Sequence, residues 1–421
     1  MTQKRTDESL KVLRDGYLFA SKLRQERTRA DDDRPIATRL LGRPTLLVRG
    51  VEGVKLFYDR DLIKREGAMP LPIRGSLFGH GSVHGMDGEE HLHRKATFVR
   101  VCYADEQVER IKPLVEAEVR EAMQRWKKHP ESVYDSSVIA FGRAGMRWAG
   151  IQGSDWELDV QARRLGEIVE GFAHLNLDHP RAWVNRKLTD RWCAKVIREQ
   201  RSGKRHAPEG TSLYEWARHR ELDGKLLDDK TAGIELQNTF RPHIAVARFA
   251  AFAVKALYEN PDWRERIQAE TAERGTLVDG RLATAFAQEV RRVYPFVPML
   301  PAFASKDFEF QGEQVKEGQW VMIDILNTDT DPQAWERADE FDPARFLDVD
   351  YEQIDAFIPQ GGGKVETGHR CPGEKIAVSS LATMISAVCE PGVTISPEGL
   401  DFPWTTMPTK PRSGGIVSMD S

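Results

Sequence analysis

Cysteine is scarce in this sequence, and the four that occur form no recognisable metal or redox motif. They stand at Cys102, Cys193, Cys371 and Cys389, and no two have the spacing of a CxxC pair. This pattern excludes a zinc ribbon and a thioredoxin-type site. So few cysteines fit a reducing compartment such as the cytoplasm better than they fit a disulfide framework.

A basic excess and a long apolar run are also missing. The 421 residues carry 61 Lys and Arg against 65 Asp and Glu, and this net charge of -4 argues against a general nucleic-acid binder. The first 20 residues lack the apolar core of a signal peptide. The most apolar stretch, residues 244–254, is short and contains Arg248. We therefore predict a cytoplasmic protein without a transmembrane segment.

Helical patterns are abundant instead. Apolar residues recur at three- and four-residue spacings across residues 107–126 and 160–175. A long helix is predicted from about Asp229 to Tyr258, where Asn260-Pro261 ends it, and another helix across residues 276–294.

Strand patterns are short and few. Alternating apolar and polar residues predict two short strands around Gly42-Arg43-Pro44 and several more across residues 306–326. No repeat, low-complexity segment or linker divides the chain. The sequence therefore predicts a mainly α protein with small β-sheets, folded as one domain over residues 1–421.

One loop carries an unusual pattern, FIPQGGGKVETGHRCPGEKIAV, at residues 357–378. Its cysteine, Cys371, follows His369 and Arg370, and a helix is predicted to begin just after Gly373. Positive charge and a helix N-terminus both lower the pKa of a cysteine, and Gly373 lets a flat, bulky group approach the backbone. Two interpretations stay open at this point: a buried structural thiol, or a thiolate that binds a metal or acts as a nucleophile.

The segment GHRCPGEKIA resembles the haem-ligating loop of the cytochromes P-450. Two further motifs of that family stand upstream in the family's order: an ExxR pair at Glu289 and Arg292, and FDPARF, which contains Arg345. The resemblance implies the cytochrome P-450 fold and a haem b whose iron Cys371 ligates as a thiolate. It also implies a structural network of Glu289, Arg292 and Arg345. A thiolate ligand favours cleavage of an O–O bond at the iron.

Three further residues match the places where this family binds the haem propionates. His369 lies two residues before the cysteine, and His91 and Lys95 have i,i+4 spacing on a predicted helix. The alternative for His91 and Lys95 is a solvated helix face.

Two features depart from most of the family. Lys364 and Thr367 replace a Phe and a Gly of the usual cysteine loop. The central helix lacks the acid–alcohol pair that relays protons and has Arg241-Pro242 instead. A proline inside a helix should kink it. A buried arginine needs an anion, which is either a glutamate of the chain or the carboxylate of a substrate.

These departures resemble the bacterial fatty-acid peroxygenases, as does the segment from Leu77 to Lys95. The resemblance implies a long-chain fatty acid as substrate and hydrogen peroxide as oxidant, with no reductase. Arg241, followed by Pro242, would hold the fatty-acid carboxylate, which would serve as the acid–base group. Hydroxylation would then occur at the α or β carbon, next to the anchored end.

His84 is the residue that bears on the product. In that subgroup its place is commonly Gln in hydroxylases and His in enzymes that decarboxylate fatty acids to terminal alkenes. The resemblance also places Phe78 beside His84 and makes Phe172 a candidate for the channel wall. The alternatives are a loop histidine without a role and, for Phe172, an ordinary core aromatic.

Three rival functions remain on sequence alone. One is a monooxygenase that receives electrons from a ferredoxin or flavodoxin. Another is a non-catalytic haem sensor or carrier. The last is a haem-free helical protein with a structural Cys371.

Overall fold

A computed structural model describes residues 6–27, 33–171 and 178–420. Within these ranges the chain is mainly helical. Its α-helices are α1 (Ser9–Asp15), α2 (Phe19–Arg27), α3 (Gly50–Phe57), α4 (Leu71–Ile73), α5 (Gly88–Phe98), α6 (Asp105–Trp126), α7 (Val133–Trp148), α8 (Asp155–Gly171), α9 (Asp178–Arg201), α10 (Ser212–Arg218), α11 (Asp229–Ala245), α12 (Ala247–Glu259), α13 (Pro261–Arg274), α14 (Arg281–Val293), α15 (Ile325–Asp329) and α16 (Glu374–Cys389). Short 3₁₀ and π turns join several of them, at Gly16–Leu18, Arg74–Phe78, Val83–Gly85, Val99–Tyr103, Pro343–Phe346 and Tyr351–Gln353.

The strands form three small sheets beside the helices. They are β1 (Ile36–Leu40), β2 (Arg43–Val48), β3 (Ile63–Lys64), β4 (Glu131–Ser132), β5 (Met299–Ala304), β6 (Phe308–Phe310), β7 (Glu313–Val315), β8 (Trp320–Asp324), β9 (Val393–Ile395) and β10 (Ile416–Met419). The largest sheet has the order β1-β2-β8-β5-β3, in which only β2 and β8 pair in parallel. The others are β4-β10-β9 and the hairpin β6-β7.

The two strands predicted around Gly42-Arg43-Pro44 are present as a tight hairpin, but Arg43 and Pro44 belong to β2 and not to the turn. Strands β1 and β2 pair in antiparallel register with Leu40 opposite Arg43, so the loop is only Leu41-Gly42. Both loop residues have positive φ, 49° and 74°. Such a loop matches the twist of the two strands, and glycine adopts this conformation without strain.

The main core lies among α6, α7, α11, α12, α14 and α16. Each of the first five contributes a fully buried aromatic ring: Trp126, Phe141, Phe240, Phe252 and Phe286. Burial of rings of this size is the main stabilising contribution in such a helix layer. Because α11 runs through this core, its side chains are held in fixed positions.

The long helix predicted from Asp229 to Tyr258 is two helices. Helix α11 continues through Pro242 and ends at Ala245, and α12 begins at Ala247. At Val246 the backbone N–H donates to His243 O at 3.2 Å, a three-residue spacing that interrupts the α-helical pattern. The helix is therefore interrupted one turn beyond Pro242.

The helix predicted across residues 276–294 begins later, at Arg281. The residues before it are held in a loop by Glu116, whose carboxylate accepts hydrogen bonds from the Thr276 hydroxyl at 3.0 Å and the Leu277 N–H at 3.1 Å. Asp279 also has a positive φ of 59°, which a helix does not allow. These long-range contacts override the local helical pattern.

In the described ranges, no helix combines the length and the apolar character needed to cross a bilayer.

Candidate functional site

Cys371 lies in the loop just before α16. Its backbone N–H donates to Gln360 O at 3.3 Å, and Gly373 is the N-cap residue of α16. The thiol lines a cavity that also receives Arg241 and Pro242 from α11 and His91 from α5. The tertiary structure thus brings four sequence-predicted residues to one space.

The prediction of a lowered pKa for Cys371 was wrong for the protein alone. Burial raises the pKa of this thiol, and the Glu374 carboxylate raises it further, although the nearby charges of Lys95 and Arg291 do act to lower it. The guanidinium of Arg370 does not serve the sulfur, because its Nε donates to Glu374 at 2.8 Å. A bound metal cation would favour the thiolate at this position, because a coordinating thiol loses its proton.

Arg241 is a buried cation in the same cavity. Its side chain is 3% exposed, and Nη2 donates to Asn238 Oδ1 at 3.0 Å. Within the described ranges no carboxylate pairs with it, and its Nε has no hydrogen-bond partner. Burial, and then the positive charge of Arg186, lower the pKa of Arg241 to about 9, so it stays charged at neutral pH. The alternative of an internal Arg–Glu pair is therefore not what these residues form.

Asn238 connects Arg241 to the segment that carries His84. Its amide nitrogen donates to Phe78 O at 3.0 Å and to Glu235 Oε2 at 3.2 Å. The other oxygen of Glu235 accepts the Val83 N–H at 2.7 Å. Residues 78–84 and α11 are thus tied together by buried hydrogen bonds. We did not single out Asn238 from the sequence, although its i,i+3 spacing to Arg241 is a usable signal.

His84 lies against Phe78 on the cavity wall. The two rings stack with centroids 4.3 Å apart and planes at 26°. Burial, and then the charge of Arg241, lower the pKa of His84 well below its usual value, and its Nδ1 has no partner among the described residues. The imidazole is therefore neutral at neutral pH and can donate or accept one hydrogen bond.

His91 and His369 form the polar edge of the cavity. Their rings stack with centroids 4.1 Å apart, and His369 Nε2 lies 3.4 Å from Asp87 Oδ1. Burial lowers the pKa of His91 to about 3 and that of His369 to about 4, so both are neutral before an anion binds. Lys95, one turn after His91 on α5, donates to Arg370 O at 2.5 Å, and burial lowers its pKa to about 8.

This cavity has the features that a haem requires. A sulfur donor and a row of nitrogen donors, which suit an iron and two carboxylates, line one continuous space. Beside the sulfur the backbone is open, because a Cβ added to Gly373 would meet only Cys371 Sγ, at 4.0 Å. Two groups on the wall, Arg241 Nε and His84 Nδ1, are buried without a partner in the described part of the chain. The residues present therefore fit the group.

The ExxR and FDPARF motifs meet in one buried network. Glu289 accepts two hydrogen bonds from Arg292, at 2.8 and 2.7 Å, and both side chains are fully buried. Arg345 Nε donates to the same carboxylate at 3.3 Å. Arg292 also donates to the carbonyls of Ala338 and Glu340, at 2.8 and 2.9 Å. The network fastens α14 to the segment that leads to the cysteine loop.

Truncation of Glu289 should therefore destabilise the fold strongly. Glu289→Ala leaves Arg292 as a buried charge without its partner, and we expect the free energy of unfolding to fall by about 3–5 kcal/mol. Chemical denaturation followed by far-UV circular dichroism measures this. Glu340→Ala is the control, because its side chain is 57% exposed and the change should stay within about 0.5 kcal/mol. Equal stability of the two variants would contradict the assigned role of the network.

Three charged residues near the site were not predicted from the sequence: Arg65, Glu374 and Arg291. Arg65 lies over the Phe57 ring at 4.0 Å and lines a cleft beside His91 and His369. Glu374, three residues after the cysteine, bridges Arg370 and Arg291. Arg291 stands next to the ExxR arginine, but nothing in the pattern showed which carboxylate it meets. The predicted wall residue Phe172 lies outside the described residues.

Comparison with known proteins shows which family has this fold and this type of site. The family model for Cytochrome P-450 matches residues 249–390. A solved structure of a variant of cytochrome P-450 OleT in complex with arachidonic acid is 33% identical with a TM-score of 0.90, covering 99% of this chain and 98% of that one. Cytochrome P450EX alpha (CYP152N1) with myristic acid is 31% identical, with a TM-score of 0.87 and coverages of 99% and 97%.

A curated relative is more distant. Cytochrome P-450 26B1 of Danio rerio is 25% identical over 375 residues, which are 82% of this chain and 71% of that protein.

The fold and the cysteine-lined cavity define a haem-thiolate oxidoreductase. The chain belongs to the cytochrome P-450 family. Its cofactor is haem, which the family binds through a cysteine thiolate on the iron. The predicted family, the helical fold with small sheets and the haem cofactor are confirmed.

Proposed function

We propose that this protein is a peroxygenase, which uses hydrogen peroxide to hydroxylate long-chain fatty acids at the α or β carbon, with decarboxylation to terminal alkenes as a second outcome. The observation that carries the proposal is Arg241, a buried cation in the cavity of Cys371 without a carboxylate partner in the described ranges. Two structurally similar proteins carry arachidonic acid and myristic acid, both of which are long-chain fatty acids.

In this proposal residues 1–421 form one haem domain. Cys371 ligates the haem iron, while His91, Lys95 and His369 hold the propionates, whose negative charge would raise the low histidine pKa values. The haem, when bound, supplies an iron that activates peroxide and transfers oxygen. Gly373 leaves the backbone beside the sulfur open for it.

Arg241 binds the substrate carboxylate through its guanidinium. Arg241 Nη2 donates to Asn238 Oδ1, which holds the guanidinium in place. Its Nε–H has no partner among the described residues and can donate to a bound carboxylate. Guanidinium and carboxylate form paired, charge-assisted hydrogen bonds, which fix the orientation of the acid as well as its position. The carbons next to the carboxylate are then the ones held at the reacting position.

The bound carboxylate supplies the acid–base group that α11 lacks. Arg241 is followed by Pro242, and no acid–alcohol pair stands at this place in the helix. The carboxylate accepts a proton from one oxygen of hydrogen peroxide and returns it to the other oxygen, which leaves as water when the O–O bond breaks. The first oxygen is the one that is transferred to the substrate. Apolar neighbours such as Phe78, Val83 and Leu77 line the cavity and limit the access of water.

His84 affects the partition between the two products. It stacks on Phe78 and is neutral, so it can hold one hydrogen bond at the cavity wall. We expect His84→Gln to raise the ratio of hydroxy acid to alkene several-fold, because the amide keeps the polarity but not the proton-transfer capacity of imidazole. Product analysis by gas chromatography and mass spectrometry measures the ratio. The control is His80→Gln, because His80 is a neighbouring histidine outside the cavity lining. An unchanged product ratio in His84→Gln would contradict a role of His84 in the choice of product.

The direct test is turnover with peroxide alone. Purified haem-loaded protein, a saturated long-chain fatty acid and hydrogen peroxide should yield hydroxy acids or alkenes without any reductase. A parallel reaction replaces peroxide by NADPH, a ferredoxin and its reductase, with catalase present to remove peroxide. Turnover in the second reaction only would identify a monooxygenase, and haem binding without turnover in either would identify a sensor or carrier.

A further inference from the structure

Glu374 is a buried carboxylate held between two buried guanidiniums beside the cysteine loop. It is the first residue of α16 and is fully buried. Its Oε2 accepts from Arg370 Nε at 2.8 Å, and its Oε1 accepts from Arg291 Nη2. Both arginines are also buried, at 4% and 1% exposure. Removal of one charge from such a cluster changes the local electric field, since little water is present to screen it.

The Glu374 carboxylate is connected to the backbone around Cys371 through both of its arginine partners. Arg291, which Glu374 holds, donates to Gln360 Oε1 at 3.0 Å, and the Gln360 carbonyl accepts the Cys371 N–H at 3.3 Å. Arg370 immediately precedes Cys371. Glu374 is therefore linked to the cysteine through each of its two partners.

Three charged side chains act on the Cys371 sulfur from buried positions: Glu374, Lys95 and Arg291. Hydrogen bonds fix Glu374 on the first turn of α16, three residues after Cys371. Arg291 reaches the Cys371 N–H through Gln360. A fixed negative charge near the sulfur increases its electron density, and a fixed positive charge decreases it.

We propose that Glu374 is a positioning residue that tunes the haem through the sulfur: its negative charge strengthens electron donation by Cys371 and lowers the reduction potential of the iron. Charges and hydrogen bonds around a metal ligand are known to set the potential of the metal. A low potential keeps the iron oxidised, the state in which an enzyme that uses peroxide meets its oxidant. The inference rests on ligation of the haem by Cys371 but not on the identity of the substrate.

The test is the reduction potential of the haem-loaded protein, measured by spectroelectrochemistry without fatty acid or peroxide. Glu374→Gln keeps the shape and removes the charge, so the potential should shift to a more positive value. Arg291→Gln removes a positive charge that acts on Cys371 and should shift it to a more negative value. The control is Glu118→Gln, because Glu118 also lies between two arginines, Arg143 and Arg147, but is not among the charges that act on Cys371.

Opposite shifts in the two variants, with no shift in Glu118→Gln, would support the proposal. An unchanged potential in Glu374→Gln would overturn it, as would shifts of the same sign in both variants. The ferrous carbon-monoxide spectrum is recorded for each variant to show that the thiolate is still bound. If Glu374→Gln does not retain haem, Arg291→Gln decides alone, and a potential that is unchanged or more positive overturns the proposal. The potentials are measured without substrate, so the two proposals fail in different ways. If only the peroxygenase proposal is wrong, turnover with peroxide is absent while the shifts in potential are still observed.

Discussion

Replacement of Arg241 by glutamine should reduce kcat/KM for a long-chain fatty acid and hydrogen peroxide by about 100-fold or more, which corresponds to about 2.7 kcal/mol. The loss of activity is large because the contact between the Arg241 guanidinium and the fatty-acid carboxylate has two roles. The guanidinium holds the carboxylate, and the carboxylate moves the proton of peroxide. Steady-state product formation measures the loss, and spectral titration with the fatty acid measures binding separately.

Two control variants separate charge from geometry. Arg241→Lys keeps the positive charge but cannot form paired parallel bonds, so its activity should lie between those of the wild type and Arg241→Gln. Arg191→Gln removes an exposed guanidinium from α9 and should leave activity unchanged. Full activity in Arg241→Gln would contradict the role of Arg241.

The acid–base role can be tested apart from binding. A substrate without a carboxylate should turn over poorly in the wild-type protein and be rescued by a short carboxylic acid that occupies the place near Arg241. In Arg241→Gln this rescue should require much more acid, because the anchor is missing. Equal turnover of the non-acid substrate with and without the short acid would show that the carboxylate only binds and does not transfer the proton.

Replacement of Cys371 by serine should abolish both peroxide-driven turnover and the red-shifted band of the ferrous carbon-monoxide complex. A serine oxygen is a much weaker electron donor to iron than a thiolate sulfur. The measurement is the difference spectrum of the reduced protein with carbon monoxide. Serine is close in size to cysteine, so the fold should be retained.

Cys193→Ala is the matched control, because Cys193 is buried in the core away from the cavity lining. It should keep the thiolate band at the wild-type position. A normal thiolate spectrum in Cys371→Ser would mean that a different cysteine is the ligand, and Cys102, which also lines the cavity, would be the next to replace.

Local features were readable from the sequence because they depend on near neighbours. The pair Glu289 and Arg292 has i,i+3 spacing, so any helix places the two side chains together. Gly42 between two short apolar runs predicts a hairpin, and Gly373 before an apolar run predicts a helix start. The order of the motifs then led to the family, which the fold and the comparisons confirm.

Features that depend on distant residues were not readable. The helix predicted from residue 276 starts at Arg281 because Glu116, on another helix, holds the residues before it. The low pKa expected for Cys371 became a raised one because burial outweighs its charged neighbours, and because Arg370 turns to Glu374 instead.

The sequence by itself determined the family and the residue types of the site: a cysteine before a helix, an arginine followed by proline and a glutamate with its arginine. The tertiary structure alone decided which charges are paired. Arg241 lacks a carboxylate among the described residues, whereas Arg292 and Arg370 each have one. The reason is physical, since the strength of a charge depends on its burial and on partners brought in from elsewhere in the chain, and neither is a property of the local sequence.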